Sequence, residues 1–236
     1  MPSNNRPATR TTIAAQLAVF LLAAAILIPA VTPGAAVTGG PWIKLAFLVR
    51  IAALVAFAQW MLRTHSLGWS DVGLSRPGWR RFMIAVPVGG AMTILFATIA
   101  HSLAVRAGLP APNYSMFAPV RGNLGEYLFW VLPVTIGTAA FGEELIFRGF
   151  VTDAVRRLAG GSSPVALSTA IIGQALIFGG LHFYQGPGGM IVAGATGLGL
   201  GLTWLIAGCN LWAGIVIHAL LDGSAMTAIY LGYVAT

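Results

Sequence analysis

The stretch Phe141–Phe150 reads FGEELIFRGF and sets two adjacent acids, Glu143 and Glu144, inside an otherwise apolar part of the chain. The whole chain of 236 residues contains only six acidic residues, so a third of them stand side by side here. Ionisable groups at membrane depth are rare, face a bundle interior or a water-filled cavity, and mark functional sites. The stretch therefore predicts a membrane helix that carries a functional site.

The composition is that of a polytopic membrane protein. Hydrophobic residues make up 57% of the chain and charged residues 8%, whereas a soluble domain carries about 25% charged residues. The length suffices for six to eight spans of about 20 residues each. We therefore predict an all-α bundle that forms a single integral membrane domain over residues 1–236. Its seven spans are predicted at about 13–31, 42–62, 82–105, 124–150, 164–183, 190–208 and 211–231.

The first apolar run follows Arg6 and Arg10 and partly resembles a signal peptide. Its length of about 19 residues is long for the core of such a peptide, and the Ala/Pro-rich stretch after it shows no clear cleavage site. We therefore expect a retained first span.

The distribution of arginines predicts the orientation, because cytoplasmic loops of membrane proteins carry an excess of basic residues. With a cytoplasmic N-terminus, only Arg106 and Arg121 lie on the opposite side. We expect a protein of the bacterial inner membrane whose net charge of +7 matches anionic lipids and not nucleic acid. Nine arginines are then cytoplasmic: Arg6, Arg10, Arg63, Arg76, Arg80, Arg81, Arg148, Arg156 and Arg157.

Glu144 and Arg148 are four residues apart on a predicted helix, so their side chains share one face. Such a pair neutralises itself in a low dielectric, although burying it does not by itself stabilise the protein. Glu143 projects about 100° away around the helix and has no partner in its own segment. A buried carboxylate without a partner readily takes up a proton, which suits a general base or acid. The alternative is a structural ion pair near the cytoplasmic boundary, with Glu143 reaching towards water.

Two further polar motifs follow on separate apolar segments. His182 ends the run that begins at Phe178, and a histidine at the end of a span also fits an interfacial role. His218 and Asp222 are four residues apart in the last run and share one helical face. The carboxylate can orient the ring for catalysis, metal binding or proton relay. The alternative is a buried polar pair that holds helices together.

Together these segments resemble the CPBP intramembrane proteases, the family of CAAX prenyl endopeptidases and bacteriocin-processing (Abi) proteins. The motifs occur in the family's order within residues 120–231, which we take as the motif-bearing catalytic core. They are Glu-Glu-x-x-x-Arg (Glu143, Glu144, Arg148), Phe-x-x-x-His (Phe178, His182) and His-x-x-x-Asn/Asp (His218, Asp222).

The resemblance implies a helical membrane bundle in which the motifs meet around a cavity. It also implies an endopeptidase that cleaves a membrane-associated peptide or protein, prenylated or carrying a leader peptide. The implied catalytic roles are water activation by Glu143 with His182, support by the ion pair of Glu144 and Arg148, and oxyanion stabilisation by His218 and Asp222.

Position 222 departs from the prenyl-endopeptidase branch, which typically has Asn there. An ionised carboxylate cannot donate to an oxyanion, so Asp222 is either protonated or orients His218. A further alternative is a zinc-dependent peptidase, because Glu143, His182, His218 and Asp222 supply oxygen and nitrogen ligands of the kind that catalytic zinc uses. We favour the metal-free interpretation, with no cofactor.

A different class of function, a proton-relay transporter or a catalytically silent scaffold, would use the same polar groups without hydrolysis.

Three placements follow from the predicted spans. Glu143 and His182 fall near opposite membrane faces, and their convergence requires a deeper pair of acids. A fourth helix that continues towards Leu158 would supply it, and an irregular backbone at residues 186–189 would bring water to His182. Arg50, near the middle of the second span, needs a partner or a route to water. Gly197 and Gly201 have the small-xxx-small spacing that predicts close helix packing.

Overall fold

The computed structural model describes residues 9–28 and 41–234, with side chains from residue 44 onward in the second range. Within these ranges the chain is helical and contains no strand. The predicted all-α membrane bundle of seven spans is confirmed, because seven of the described helices are long and apolar enough to cross a membrane. Arg6 and the Ala/Pro-rich stretch after the first span lie outside the described residues. The helices are α1 (Arg10–Leu27), α2 (Pro41–Thr64), α3 (Trp79–Arg106), α4 (Leu124–Leu158), α5 (Pro164–Leu181), α6 (Gly186–Ile206) and α7 (Trp212–Tyr230).

Helix α4 is one continuous run of 35 residues. It starts at Asn123, whose side chain accepts a hydrogen bond from the backbone N–H of Glu126 at 3.2 Å. After an α-helical start at Leu124–Phe129, the stretch Trp130–Val151 is wound with the wider π spacing, and Thr152–Leu158 returns to α geometry. The helix thus continues to Leu158, and Glu143 lies near its middle.

The last turns of α4 carry their own ion pairs. Asp153 Oδ1 accepts a hydrogen bond from Arg156 Nη2 at 2.6 Å, and Asp153 Oδ2 forms an ion pair with Arg157 Nε at 3.1 Å. Such pairs support a helix end. Arg148 differs from these arginines because only 1% of it is exposed. It is buried beside Glu144, and its place among the cytoplasmic arginines stays a prediction.

Helix α6 packs closely against α5 through glycines. A Cβ at Gly197 would lie 3.2 Å from Phe178 Cδ1, and a Cβ at Gly201 would lie 2.6 Å from Gln174 Nε2. The predicted close packing at Gly197 and Gly201 is confirmed. It holds α6 alongside α5, the helix that ends just before His182.

Helix α4 contacts both α2 and α7 at the level of its two acids. A Cβ at Gly142 of α4 would lie 2.7 Å from Ile51 Cγ2 of α2. A Cβ at Gly214 of α7 would lie 2.7 Å from Glu144 Oε2. Only glycine allows these approaches without a shift of the neighbouring atoms, so both contacts fix which side chains surround the acids.

Helix α1 closes the bundle through aromatic packing. The ring of Phe20 is fully buried and lies 4.8 Å from that of Phe150 and 6.0 Å from that of Phe57, between ring centroids. Gln16 Nε2 donates to Thr64 Oγ1 at the end of α2, at 3.0 Å. The first span is thus part of the packed core and adjoins α2 and α4.

Candidate active site

Four of the six predicted site residues line one interior cavity. The cavity has a volume of about 310 Å³, and its polar wall includes Glu143 of α4, His182 beyond α5, and His218 and Asp222 of α7. The remaining wall is largely aromatic and aliphatic, as is usual for a site that binds an organic ligand. Glu144 and Arg148, the other two predicted residues, lie outside the cavity wall and are buried.

Glu144 lies behind the cavity and contacts both Arg148 and His218. Its Oε1 lies 2.9 Å from Arg148 Nη1, so the predicted pair is present, and 3.0 Å from His218 Nδ1. The guanidinium of Arg148 also lies over the ring of Phe178, with 4.6 Å between Cζ and the centroid, and donates to the carbonyl of Gly197 at 3.4 Å. One carboxylate therefore ties α4 to α7, while its arginine reaches α5 and α6.

His218 has a carboxylate oxygen beside each ring nitrogen. Nδ1 faces Glu144, as described above, and Nε2 lies 3.4 Å from Asp222 Oδ2 and 4.0 Å from Glu143 Oε2. Because Glu144 is acceptor-only when ionised, Nδ1 carries a proton and donates to it. The ring thus presents its Nε2 edge to the cavity, next to Glu143.

His182 is oriented by the backbone of its own motif. Its Nδ1 donates to the carbonyl of Phe178 at 2.7 Å, and its ring packs against the Phe178 ring at 4.5 Å between centroids. A neutral imidazole that donates from Nδ1 carries a lone pair on Nε2. Among the described residues no hydrogen bond to Nε2 occurs, so this nitrogen is free to act on a molecule in the cavity.

Two residues that the motifs do not include lie at the same place. Tyr184 lines the cavity and packs its ring 5.6 Å from that of His182. Arg50 of α2 lines a recess of about 20 Å³ together with Glu143, His182 and Tyr184. The only signal for Arg50 in the sequence is its charge in the middle of a span. Tyr184 gave no signal, because an aromatic residue at the end of a span is typical of a membrane interface.

The four candidate metal ligands do not converge on a common point in the described structure. No group of three or more His, Cys, Asp or Glu side chains among the described residues is arranged to hold a metal ion. Glu143 and Asp222 both approach the same atom, Nε2 of His218, so the carboxylates face the ring instead of a shared ion. The choice between the metal-free and the zinc-dependent mechanism stays a prediction.

The bundle and its interior cavity define a class: a polytopic membrane protein with ionisable groups buried around a ligand-sized space. Residues 125–224 match the family model described as Type II CAAX prenyl endopeptidase Rce1-like. This range contains all six predicted site residues and leaves the first three helices outside. The match covers 100 of the 236 residues and supports the predicted resemblance to the CPBP/CAAX protease family. No curated protein and no solved structure matches the chain.

The family match supports a CAAX-type intramembrane endopeptidase, which is a hydrolase that cleaves peptide bonds in a lipid bilayer environment. The matched residues include parts of α4, α5 and α7 that line the cavity. Helix α2, which contributes Phe47 to the cavity wall and Arg50 to the adjacent recess, is not covered by the match.

Proposed function

We propose that the protein hydrolyses a peptide bond of a membrane-associated substrate, prenylated or carrying a leader peptide, with water that Glu143 activates. The observation that carries this proposal is the unequal environment of the two adjacent acids. Glu144 is held by Arg148 and His218, whereas Glu143 faces the cavity and has no ion pair closer than 4.0 Å among the described residues. Neighbouring carboxyl groups in different environments take different chemical roles.

Glu143 is the general base in this mechanism. Its carboxylate takes a proton from a water molecule in the cavity while the water oxygen attacks the carbonyl carbon of the scissile bond. The lone pair on Nε2 of His182 accepts a second hydrogen bond from the same water and orients it. Glu143 then delivers the proton to the leaving amine, so the peptide bond breaks and a carboxylate and an amine are formed.

The developing oxyanion needs a donor on the opposite side of the carbonyl. Nε2 of His218 can supply one when the ring is protonated, since Nδ1 already donates to Glu144. Asp222, beside the same Nε2, either holds that ring in place or donates itself when it carries a proton.

The central experiment compares wild type with Glu143→Gln after purification in detergent. The amide cannot accept the proton of water, so the variant is expected to insert and fold but to release no product from a peptide substrate. A pulldown with the same variant is expected to retain uncleaved substrate and so identify it. Asp71→Asn is the control, because Asp71 is exposed in the loop before α3 and lies outside the cavity.

Cleavage at the wild-type rate by Glu143→Gln would contradict the proposal. A proton-relay transporter should tolerate Glu143→Asp better than a hydrolase does, because a relay needs only a titratable group. A scaffold should keep its function in both variants. A hydrolase, a proton-relay transporter and a scaffold thus differ in which substitutions of Glu143 leave their function intact.

A further inference from the structure

An open groove lined by arginines lies at one end of the bundle, outside the catalytic cavity. It has a volume of about 540 Å³. Its wall is built from the loop before α3, the first turn of α3 and the turn between α6 and α7. Arg76, Arg80 and Arg81 line it, and none of the described residues in its wall is acidic. The groove therefore concentrates positive charge at the point where three membrane helices begin or end.

The charge of the groove is not balanced within the described part of the chain. No hydrogen bond or ion pair of the three arginine side chains occurs among the described residues. Two of them, Arg80 and Arg81, stand in the first turn of α3, where the helix dipole favours acidic residues, and that turn contains none. Like charges held close together repel one another, and an anion bound between them relieves this repulsion.

Hydrogen bonds hold the two walls of the groove together. Asn210, which is buried, donates from Nδ2 to the carbonyl of Ser75 at 2.9 Å. The backbone N–H of Leu211 donates to the carbonyl of Gly73 at 3.0 Å. Both bonds join the turn after α6 to the loop before α3. The groove is therefore formed before any ligand binds, which lowers the entropic cost of binding.

Gly208 makes room for one of the arginines. Its φ of 77° lies in the left-handed region that favours glycine, and a Cβ at this position would collide with Arg81 Nη1. The guanidinium of Arg81 thus lies against the turn between α6 and α7. One donor group of the groove is placed by the shape of the backbone opposite it.

The surroundings of the groove indicate the kind of anion. Trp79 is 70% exposed, as is typical of an aromatic residue at the membrane–water interface. Arg80, Ile84 and Val88 follow one another at a spacing of four along α3, so exposed apolar side chains continue from the groove into the span. Guanidinium groups match a phosphate with paired hydrogen bonds. A phospholipid joins such a phosphate to acyl chains, which fit the apolar row.

We propose that this groove binds the headgroup of an anionic phospholipid, with the lipid phosphate on Arg76, Arg80 and Arg81 and an acyl chain along α3. The predicted orientation puts these arginines on the cytoplasmic side, where the lipid surface is negatively charged. The proposal goes beyond a general attraction of the net charge to the membrane, because it assigns one lipid to one place. It does not depend on the proposed peptidase function.

The test uses the full-length chain in a neutral detergent, titrated with phosphatidylglycerol or with phosphatidylcholine of the same acyl chains. Native mass spectrometry counts the bound lipids and gives their dissociation constants. Wild type should bind one phosphatidylglycerol in preference to phosphatidylcholine. Arg80→Gln/Arg81→Gln should weaken that binding by about tenfold to hundredfold, as expected for lost hydrogen bonds to a charged group. Arg106→Gln/Arg121→Gln is the matched control, because it removes the same charge from exposed positions outside the groove.

Equal weakening by the two double variants would overturn the inference, because it would show an attraction to net charge alone. Equal affinity of wild type for the two lipids would contradict it as well. Inorganic phosphate is titrated in parallel, and a melting temperature that rises with phosphate but not with phosphatidylglycerol would assign the groove to a soluble anion instead. Should Arg80→Gln/Arg81→Gln fail to fold, Arg80→Lys/Arg81→Lys replaces it. This variant should still weaken binding, since an ammonium keeps the charge but lacks the fork, and unchanged affinity would count against the site.

Discussion

His218 Nδ1 lies 3.0 Å from Glu144 Oε1 and joins α7 to α4 through a contact that is buried on both sides. The contact spans 74 residues of sequence and fixes which nitrogen of the imidazole carries the proton. It also turns the Nε2 edge of the ring towards Glu143. Glu144, which faces away from the cavity, thus determines which edge of the His218 ring faces the cavity.

The first prediction concerns Arg148, whose loss leaves Glu144 buried beside His218 alone. Breaking a buried ion pair by removing one partner costs roughly 3–5 kcal/mol. Arg148→Met is therefore expected to lower the melting temperature and the activity together. The double variant Glu144→Gln/Arg148→Met should recover part of the stability, because the glutamine oxygen still accepts from His218 and no charge is left unpaired. Loss of activity at an unchanged melting temperature would show that Arg148 is not structural.

The second prediction uses two glycines on α7. A Cβ at Gly214 would lie 2.7 Å from Glu144 Oε2, whereas a Cβ at Gly223 meets nothing within 4 Å. Gly214→Ala should cost about 1–3 kcal/mol, as overpacking does, and should reduce activity by moving the carboxylate that orients His218. Gly223→Ala should keep full activity and gain up to about 1 kcal/mol from helix propensity. Thermal unfolding in detergent and a cleavage assay measure both, and equal effects of the two variants would contradict the placement of Gly214.

The third prediction distinguishes the roles of the two ring nitrogens of His182. His182→Asn keeps a donor for the carbonyl of Phe178 but removes Nε2 from the cavity. We expect a melting temperature close to wild type and a fall in kcat of about 10²–10⁴, the usual range for a lost acid–base group. His101→Asn, at an exposed position of α3, is the control and should change neither quantity. A variant that loses stability and activity in proportion would assign His182 a structural role only.

The sequence predicts the helices well because membrane spans must be long and apolar, and each run of that kind stands out. It also predicts the pairs of Glu144 with Arg148 and of His218 with Asp222, because residues four apart share a helical face. The extension of α4 beyond residue 150 is harder to predict, since Asp153 and its arginines interrupt the apolar run while their ion pairs support the helix.

The periodicity of the sequence does not predict which side chains of different helices contact each other. The bond from His218 to Glu144 depends on how α7 is rotated against α4, and that rotation is set by the close approach at Gly214. In the same way, Arg50 is recognisable from its charge, but the recess that it shares with Glu143 follows from the packing of Ile51 on Gly142. Both relations rest on pairs of residues that are distant along the chain.

The last prediction decides the role of Asp222, whose side chain is 44% exposed and lies 3.4 Å from His218 Nε2. If Asp222 orients the ring or donates as a neutral acid, Asp222→Asn should retain much of the activity, because an amide can do both. If it is a metal ligand, the weaker amide should lower zinc content and activity together. Elemental analysis of wild type and variant, beside activity with and without a chelator, measures the difference. Wild type that is free of metal and active would exclude the zinc mechanism, whereas stoichiometric zinc lost with Asp222→Asn would overturn the metal-free mechanism that we favour.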